Sequence, residues 1–137
     1  MRRALFFGLI LLVFAGCQLP AERVSLRPLP EDAGPIPYAE LLTRARVQAM
    51  NAQEMYYLNR WQELEEVAKG LEQTAKFLSN KASEIPANQK DTLPVTAGDL
   101  GKEAVNLREA AHAKDNKKIE ESMNVIHRTV RELRLDK

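Results

Sequence analysis

Met123 and His127 are the residues of this sequence that most resemble a ligand set. They are four residues apart, so in a helix both side chains lie on one face. A thioether and an imidazole suit copper(I) or the axial positions of a haem, with Met50 or Met55 as a further ligand. In the simpler interpretation, Met123 fills the core and His127 lies half-solvated beside it. The sequence favours this simpler interpretation.

Other patterns that carry chemistry are missing from the sequence after Cys17. It contains no Ser, His and Asp arrangement, no glycine-rich phosphate loop, no His-Glu-x-x-His motif and no paired cysteines. His112 lies close to a predicted turn, where a histidine suits the last turn of a helix. We therefore expect no enzymatic activity and no cofactor.

The first residues of the chain predict export. Arg2 and Arg3 precede an apolar run from Ala4 to Phe14, and Ala15-Gly16 comes directly before the only cysteine, Cys17. This apolar run is shorter than the roughly 20 residues that a membrane-spanning helix needs. Residues 1–16 are therefore interpreted as a cleaved signal peptide.

Phe14-Ala15-Gly16-Cys17 resembles the lipobox of bacterial lipoproteins, with Phe14 where that motif usually has leucine. The resemblance implies that Cys17 is lipidated and becomes the first mature residue, which gives a periplasm-facing membrane anchor in the cell envelope. By the same resemblance, Gln18, which is not Asp, implies the outer rather than the inner membrane. The alternative is an ordinary signal peptide followed by a free thiol.

The composition excludes several classes of partner. The chain has 20 Lys and Arg residues against 19 Asp and Glu residues, interspersed, and the signal peptide removes Arg2 and Arg3. A nearly neutral chain without a basic stripe is not expected to bind nucleic acid, and it has no polybasic cluster for anionic lipid. Because Cys17 is the only cysteine, the core alone must stabilise the domain.

Proline is concentrated before the domain. Five of the seven prolines lie between Gln18 and Pro37. Such a segment favours extended polyproline II backbone at about 3.1 Å per residue and disfavours helix and central strand. Residues 17–37 are therefore predicted to be a lipidated linker that holds the domain away from the membrane.

From Tyr38 onward, apolar residues recur every three or four positions, as in amphipathic helices. Four such stripes are present, and the second has strict 3-4-3-4-3 spacing. The sequence predicts an all-α protein with four helices. The stripe residues are Tyr38, Leu41, Leu42, Ala45, Ala49, Ala52 and Tyr56; Trp61, Leu64, Ala68, Leu71, Ala75 and Leu78; Leu100, Ala104, Leu107 and Ala111; and Ile119, Met123, Ile126, Val130 and Leu133.

Asn59 divides the first two stripes. It suits the N-cap of the second helix, so we expect a tight turn there and an antiparallel helix pair. The alternative is one continuous helix from Tyr38 to Ser79. Tyr56, Tyr57 and Trp61 cluster at this turn, where they either form an exposed aromatic binding edge or cap the end of the domain.

The second half of the domain is predicted in the same way. Residues 80–95 contain two prolines and few periodic apolar positions, so they form the longest loop. Thr96 is expected to open the third helix through a capping box with Asp99, and Asp115 is expected to cap the fourth helix. Two short turns and one long middle loop imply an up-down-up-down four-helix bundle over residues 38–137.

Residues 100–133 resemble the closing helix pair of the four-helix cytochromes, the c-prime type and its b-type relative. Those families also have an alanine-rich third helix and an Asp-containing turn, and His127-Arg128-Thr129-Val130-Arg131 is similar to their His-x-x-aromatic-Arg ending. The Cys-x-x-Cys-His motif of the c-type is missing, and residues 123–127 keep only its histidine. The resemblance therefore implies the scaffold and not the haem ligands.

These features predict a membrane-anchored lipoprotein of the cell envelope. Its haem-free helical bundle is expected to serve as a binding or structural module for an unidentified protein partner. The alternative is a b-type haem or copper-binding bundle for electron transfer or metal handling, with ligands drawn from His127, Met123, Met50 and Met55.

Overall fold

The computed structural model describes residues 27–134, and helices make up most of them. None of these helices is long and apolar enough to cross a bilayer. Two strands of two residues each accompany the helices. The elements in chain order are β1 (Ile36–Pro37), α1 (Tyr38–Tyr57), α2 (Trp61–Asn80), β2 (Ala82–Ser83), α3 (Leu93–Ala113) and α4 (Asn116–Glu132).

The four helices form an up-down-up-down bundle, as predicted. Each helix packs against the next one in the chain, and α4 also packs against α1. Tyr38, at the start of α1, donates a hydrogen bond to the carbonyl of Leu133 after α4. Tyr56, near the end of α1, donates to Glu120 in the first half of α4 at 2.8 Å. The α1–α2 and α3–α4 turns, residues 58–60 and 114–115, therefore lie at one end of the bundle, the turn end.

The predicted stripes form the core. On α2, the stripe residues from Leu64 to Leu78 are fully buried, and those of the other helices meet them in the interior. Small residues allow α2 and α3 to approach closely, since a Cβ at Gly101 would lie only 3.5 Å from the Cβ of Ala75. The largest fully buried side chains are Tyr38, Leu41, Leu64, Leu71, Leu78, Leu93, Leu100, Leu107, Ile119, Ile126, Leu133 and Gln48.

The turn between α1 and α2 lies where the sequence predicted it, but Asn59 has a different role. Asn59 adopts a left-handed conformation with a φ of 54°. Its N–H donates to the carbonyl of Tyr56, and the N–H of Arg60 donates to the carbonyl of Met55. These two bonds form a Schellman motif, which ends α1. The prediction that Asn59 is the N-cap of α2 was therefore wrong, because Arg60 holds that position. The alternative of one continuous helix is also excluded, because α1 ends before this turn.

The α3–α4 turn has the same geometry. Lys114 has a φ of 53°, its N–H donates to Ala111, and the N–H of Asp115 donates to Ala110. The Asp115 carboxylate then accepts a hydrogen bond from the N–H of Lys118 at 3.2 Å. The prediction that Asp115 caps α4 is confirmed.

The third helix begins earlier than predicted. It starts at Leu93, and Pro94 lies in its first turn, where a residue needs no N–H donor. Thr96 is already inside the helix and donates to the carbonyl of Thr92 at 3.1 Å. Asp99 pairs with a lysine three residues later at 3.3 Å. The prediction that Thr96 opens α3 was therefore wrong, because a proline does not break a helix in its first turn.

The chain before α1 lies against the bundle. β1 pairs in parallel with β2, with Ile36 opposite Ala82, and Ile36 is buried. Lys81, just after α2, donates to the carbonyls of Glu31 and Ala33 at 3.2 and 2.6 Å. Residues 31–37 are thus attached at the end of the bundle opposite the turn end.

This attachment continues toward the N-terminus at Leu29. The side-chain amide of Gln73, in the middle of α2, accepts from the Leu29 N–H at 2.9 Å and donates to the Leu29 carbonyl at 2.8 Å. The amide of one glutamine therefore pairs with both backbone groups of one residue, as a neighbouring strand would. Residues 29–37 lie on the bundle, whereas their composition predicted part of a free linker.

The long loop is tied to the end of α4. Gln89 is 4% exposed, and its amide lies 3.3 and 3.2 Å from the carbonyls of Glu132 and Arg134. These contacts satisfy carbonyls at a helix end that have no partner within the helix. The loop thereby closes the core at the end opposite the turns.

Candidate functional site

The predicted ligand set lies in separate surroundings. Met123 is 8% exposed and belongs to the core, whereas Met50 is 68% exposed. Met55 lines a groove over α2, to which α4, the helix of Met123 and His127, contributes no residue. Within residues 27–134, no group of three or more His, Cys, Asp and Glu side chains could hold a metal ion. Met123 therefore has the core position that the simpler interpretation gave it.

His127 is half-buried on the flank of the core. Its Nε2 atom is buried and has no hydrogen-bond partner in the described part of the chain. Burial of the ring, and then the positive charge of Arg131 one turn later, lower the pKa of His127 below its ordinary value of 6.5. The imidazole is therefore neutral at pH 7, and protonation would place an unpaired charge at this position.

An open groove of about 1170 Å³ runs over α2 between α1 and α3. We call it the α2 groove. Its floor combines apolar side chains with glycines, and its edges are charged, a combination suited to an amphipathic ligand. The floor includes Met55, Val67, Gly70, Gly98, Gly101 and Val105. The edges include Glu66, Lys69, Glu72, Lys76, Lys102 and Arg108.

A buried polar contact shapes the α1 side of this groove. Gln48 is 1% exposed, and its Oε1 accepts a hydrogen bond from Thr74 Oγ1 at 2.8 Å. A Cβ at Gly70 would lie only 3.0 Å from Gln48 Nε2. Gly70 therefore makes room for the amide, although glycine inside a helix costs about 1 kcal/mol relative to alanine.

The α3 side of the groove is open. No atom of a neighbouring element lies within 4 Å of a Cβ position at Gly98. Arg108 and Glu72 form an ion pair at 3.0 Å across the α2–α3 boundary. A side chain placed at Gly98 would therefore meet no neighbouring element of the bundle.

The chain itself lies at the α1 side of the groove. Pro28 lines it, and the next residue, Leu29, is held by Gln73 through both of its backbone groups. Backbone pairing of an extended segment is also how many proteins bind peptides. The α2 groove therefore already holds one backbone segment of the chain, at Pro28 and Leu29.

The aromatic residues at the turn end both cap the core and remain partly exposed. The ring of Tyr56 lies 5.8 Å from that of Tyr57 and 6.1 Å from that of Trp61, edge to face with the latter. Tyr56 and Trp61 pack against the core, whereas Tyr57 is 69% exposed. The hydrogen bond to the Glu120 carboxylate raises the pKa of Tyr56. Tyr56 and Trp61 therefore cap the core at the turn end, and Tyr57 is the most exposed member of the cluster.

Several buried polar residues in and beside the groove were not predicted from the sequence. Gln48 and Thr74 are polar, so they fall outside an apolar stripe, and Arg44, one turn before Gln48, is also only 6% exposed. Burial lowers the pKa of Arg44, against the attraction of Glu40. The signal that could have located this contact is Gly70, a glycine inside a strictly periodic helix, which indicates a close approach.

Cys17, the predicted lipidation site, lies outside the described residues. Comparison of the chain with protein-family models, curated proteins and solved structures gives no match.

Proposed function

We propose that this protein is a lipid-anchored, non-catalytic component of the cell envelope that binds a protein partner through the α2 groove. The observation that carries the binding role is the groove itself, which already holds Leu29 by its backbone. The partner supplies a segment that is extended where it enters the groove.

The anchor is supported by the order of features in the first seventeen residues. A basic start, an apolar run and a small-residue pair lead directly to Cys17. Lipidation of Cys17 supplies more than the single acyl chain that binds a membrane only marginally. Gln18 favours the outer membrane, with the bundle facing the periplasm.

The binding role is supported by the form of the groove. Glycines on its floor let a peptide backbone approach α3 closely, and Val67 and Val105 offer apolar contacts. Charges of both signs along the edges, such as Lys69 and Glu72, suit a polar segment with a few apolar side chains. The haem or copper alternative would need Met55 to reach His127, but Met55 lines the α2 groove, to which the helix of His127 contributes no residue.

Exchanging Cys17→Ser tests the anchor. The parent should incorporate labelled palmitate, whereas the variant should incorporate none and remain as an unprocessed or non-lipidated form. Ser25→Ala serves as a control that changes a nearby residue and should behave like the parent. A variant that still incorporates palmitate and partitions into detergent at normal size would refute the anchor.

A photoreactive residue at Gly98 tests the groove. In intact cells it should crosslink to one protein species, and the same residue at Asn106, which is exposed on α3 away from the groove, should not. That species should co-purify with the parent protein and with Asn106→Glu, but not with Gly98→Glu. Equal crosslinking from both positions would contradict binding in the groove.

A further inference from the structure

We propose that the turn end of the bundle rests on the membrane that holds Cys17, with Tyr57, Leu58 and Trp61 at the headgroup region. The inference rests on the proposed lipid anchor and adds an orientation to it. The membrane contact leaves the α2 groove, which runs along the side of the bundle, open to the periplasm.

Two neighbouring large apolar side chains are exposed at this end of the bundle. Tyr57 and Leu58 are 69% and 55% exposed. Trp61 lies half-exposed beside them, with its ring against the edge of Tyr56. Tyrosine and tryptophan combine an apolar ring with a polar group, which suits the boundary between acyl chains and water.

Three lysines lie at the α3–α4 turn and the start of α4, among acidic side chains. Arg60, in the other turn, is paired with Glu63 at 2.7 Å. Lys114 has no ion-pair partner among the described residues, and Lys117 and Lys118 form only long, exposed pairs at 3.9 and 3.7 Å. These ammonium groups are free to contact lipid phosphates.

The opposite end of the bundle has different chemistry. Lys81 there donates to the carbonyls of Glu31 and Ala33. Among the described residues, Val95 is the large apolar side chain that this end exposes. The end therefore has no group of neighbouring exposed aromatic and aliphatic side chains like that of the turn end.

The segment before α1 leads toward the turn end. Ala33 contacts Lys81, just after α2, and Leu29, closer to the N-terminus, contacts Gln73, eight residues earlier than Lys81. From Gln73 to Trp61, α2 rises about 18 Å at 1.5 Å per residue. Residues 17–27 span up to about 35 Å when extended at roughly 3.3 Å per residue. The lipid on Cys17 can therefore reach the level of the turn end.

Trp61 reports on this contact directly, because it is the only tryptophan of the chain. The full lipidated protein would be reconstituted into vesicles of phosphatidylethanolamine and phosphatidylglycerol, with and without bromine on the acyl chains. We expect the emission of Trp61 to shift to shorter wavelength and to be quenched by the brominated lipid. Unchanged emission from vesicle-bound protein would overturn the orientation.

A relocated tryptophan provides the matched control. Trp61→Phe combined with Val95→Trp moves the reporter to an exposed site at the opposite end. This variant should bind the same vesicles without quenching. Equal quenching at both ends would overturn the proposed orientation, because the bundle would then contact the membrane without a preferred end.

Two further arms separate the possible causes of failure. Tyr57→Ser with Leu58→Ser should weaken the quenching of Trp61 while the protein remains on the vesicles, and full quenching in this variant would overturn the role of these residues. Failure of the parent to float with the vesicles would overturn both the anchor and the orientation. A wavelength shift that grows with protein density, without quenching, would identify a second copy on this surface and overturn the membrane contact.

Discussion

Thr74 Oγ1 donates a hydrogen bond to Gln48 Oε1 across the interface between α1 and α2, at 2.8 Å and away from solvent. The amide of the same glutamine occupies the space that a side chain at Gly70 would need. Three residues that an apolar stripe does not include therefore determine how closely these two helices pack.

Thr74→Val should destabilise the protein. Valine keeps the volume of threonine but removes the donor to the buried Gln48 Oε1, so the free energy of unfolding should fall by about 1–3 kcal/mol. Urea unfolding followed by circular dichroism would measure this difference. Thr43→Val, at an exposed threonine that bonds only to its own helix, should change stability by less than about 0.5 kcal/mol. Equal effects of the two substitutions would contradict the role of the contact.

Glycine-to-alanine substitutions on α2 and α3 should change the free energy of unfolding in opposite directions. Gly98→Ala should raise the free energy of unfolding by about 0.5–1 kcal/mol, because alanine favours helix and the site is open. Gly70→Ala should lower it, because the new Cβ would lie 3.0 Å from Gln48 Nε2. Thermal unfolding of both variants makes the comparison. Stabilisation by Gly70→Ala would show that the amide moves aside without cost.

Gln73→Leu should release the chain at Leu29 without unfolding the bundle. The substitution removes both hydrogen bonds to the Leu29 backbone. The backbone N–H of Leu29 should therefore exchange with deuterium faster. Cleavage by a glutamate-specific protease after Glu31, two residues later in the chain, should accelerate in parallel. Gln62→Leu, at an exposed position on the same helix, should leave both rates at the parent values.

His127 should make stability depend on pH near neutrality. Because burial lowers the pKa of the folded state, the unfolded chain binds the proton more tightly and the folded protein loses stability as the pH falls below about 6.5. The loss should level off below the lowered pKa. Denaturation at pH 5 to 8 should therefore show a smaller pH dependence in His127→Gln than in the parent, and an unchanged slope in this variant would contradict the role of His127.

Haem should not bind the bundle in a defined site. The inward positions of α4 near His127 are filled by Met123 and Ile126, and widening the core for a macrocycle would disrupt close packing. Added haem should give no stoichiometric Soret band, and His127→Ala should leave the titration unchanged. A stoichiometric band that His127→Ala abolishes would instead favour the b-type alternative.

The helices were predictable because their apolar residues report directly which face is buried. The spacing from Leu64 to Leu78 identifies one face of α2, and all of its stripe positions in that range are fully buried. Asp115 was predictable because an N-cap depends on a local hydrogen bond. Local rules failed where one residue type suits two different structures. Asparagine suits both an N-cap and a left-handed turn, and Asn59 adopts the turn. Proline occurs both in loops and in the first turn of a helix, and Pro94 lies in the first turn of α3.

The groove was less predictable than the bundle. Its α1 side depends on Gln48 and Thr74, whose burial follows from the contact between two helices and not from the periodicity of either one. The attachment of Leu29 to Gln73 was also outside the reach of composition. A proline-rich sequence indicates extended backbone but does not indicate the surface on which that backbone lies.

The attachment of residues 29–37 determines how mechanical force on the N-terminus is carried. The segment runs beside α2 in the same direction, bonded first to Gln73 and then through Lys81 and the β1–β2 pair. A pull along α2 toward the turn end loads these bonds together in shear. A pull away from α2 loads them one after another, beginning at Leu29, and therefore peels the segment off at lower force. The resistance of this attachment therefore depends on the direction of the force. In either direction, α1 bears tension only after the hydrogen bonds of residues 29–37 have broken.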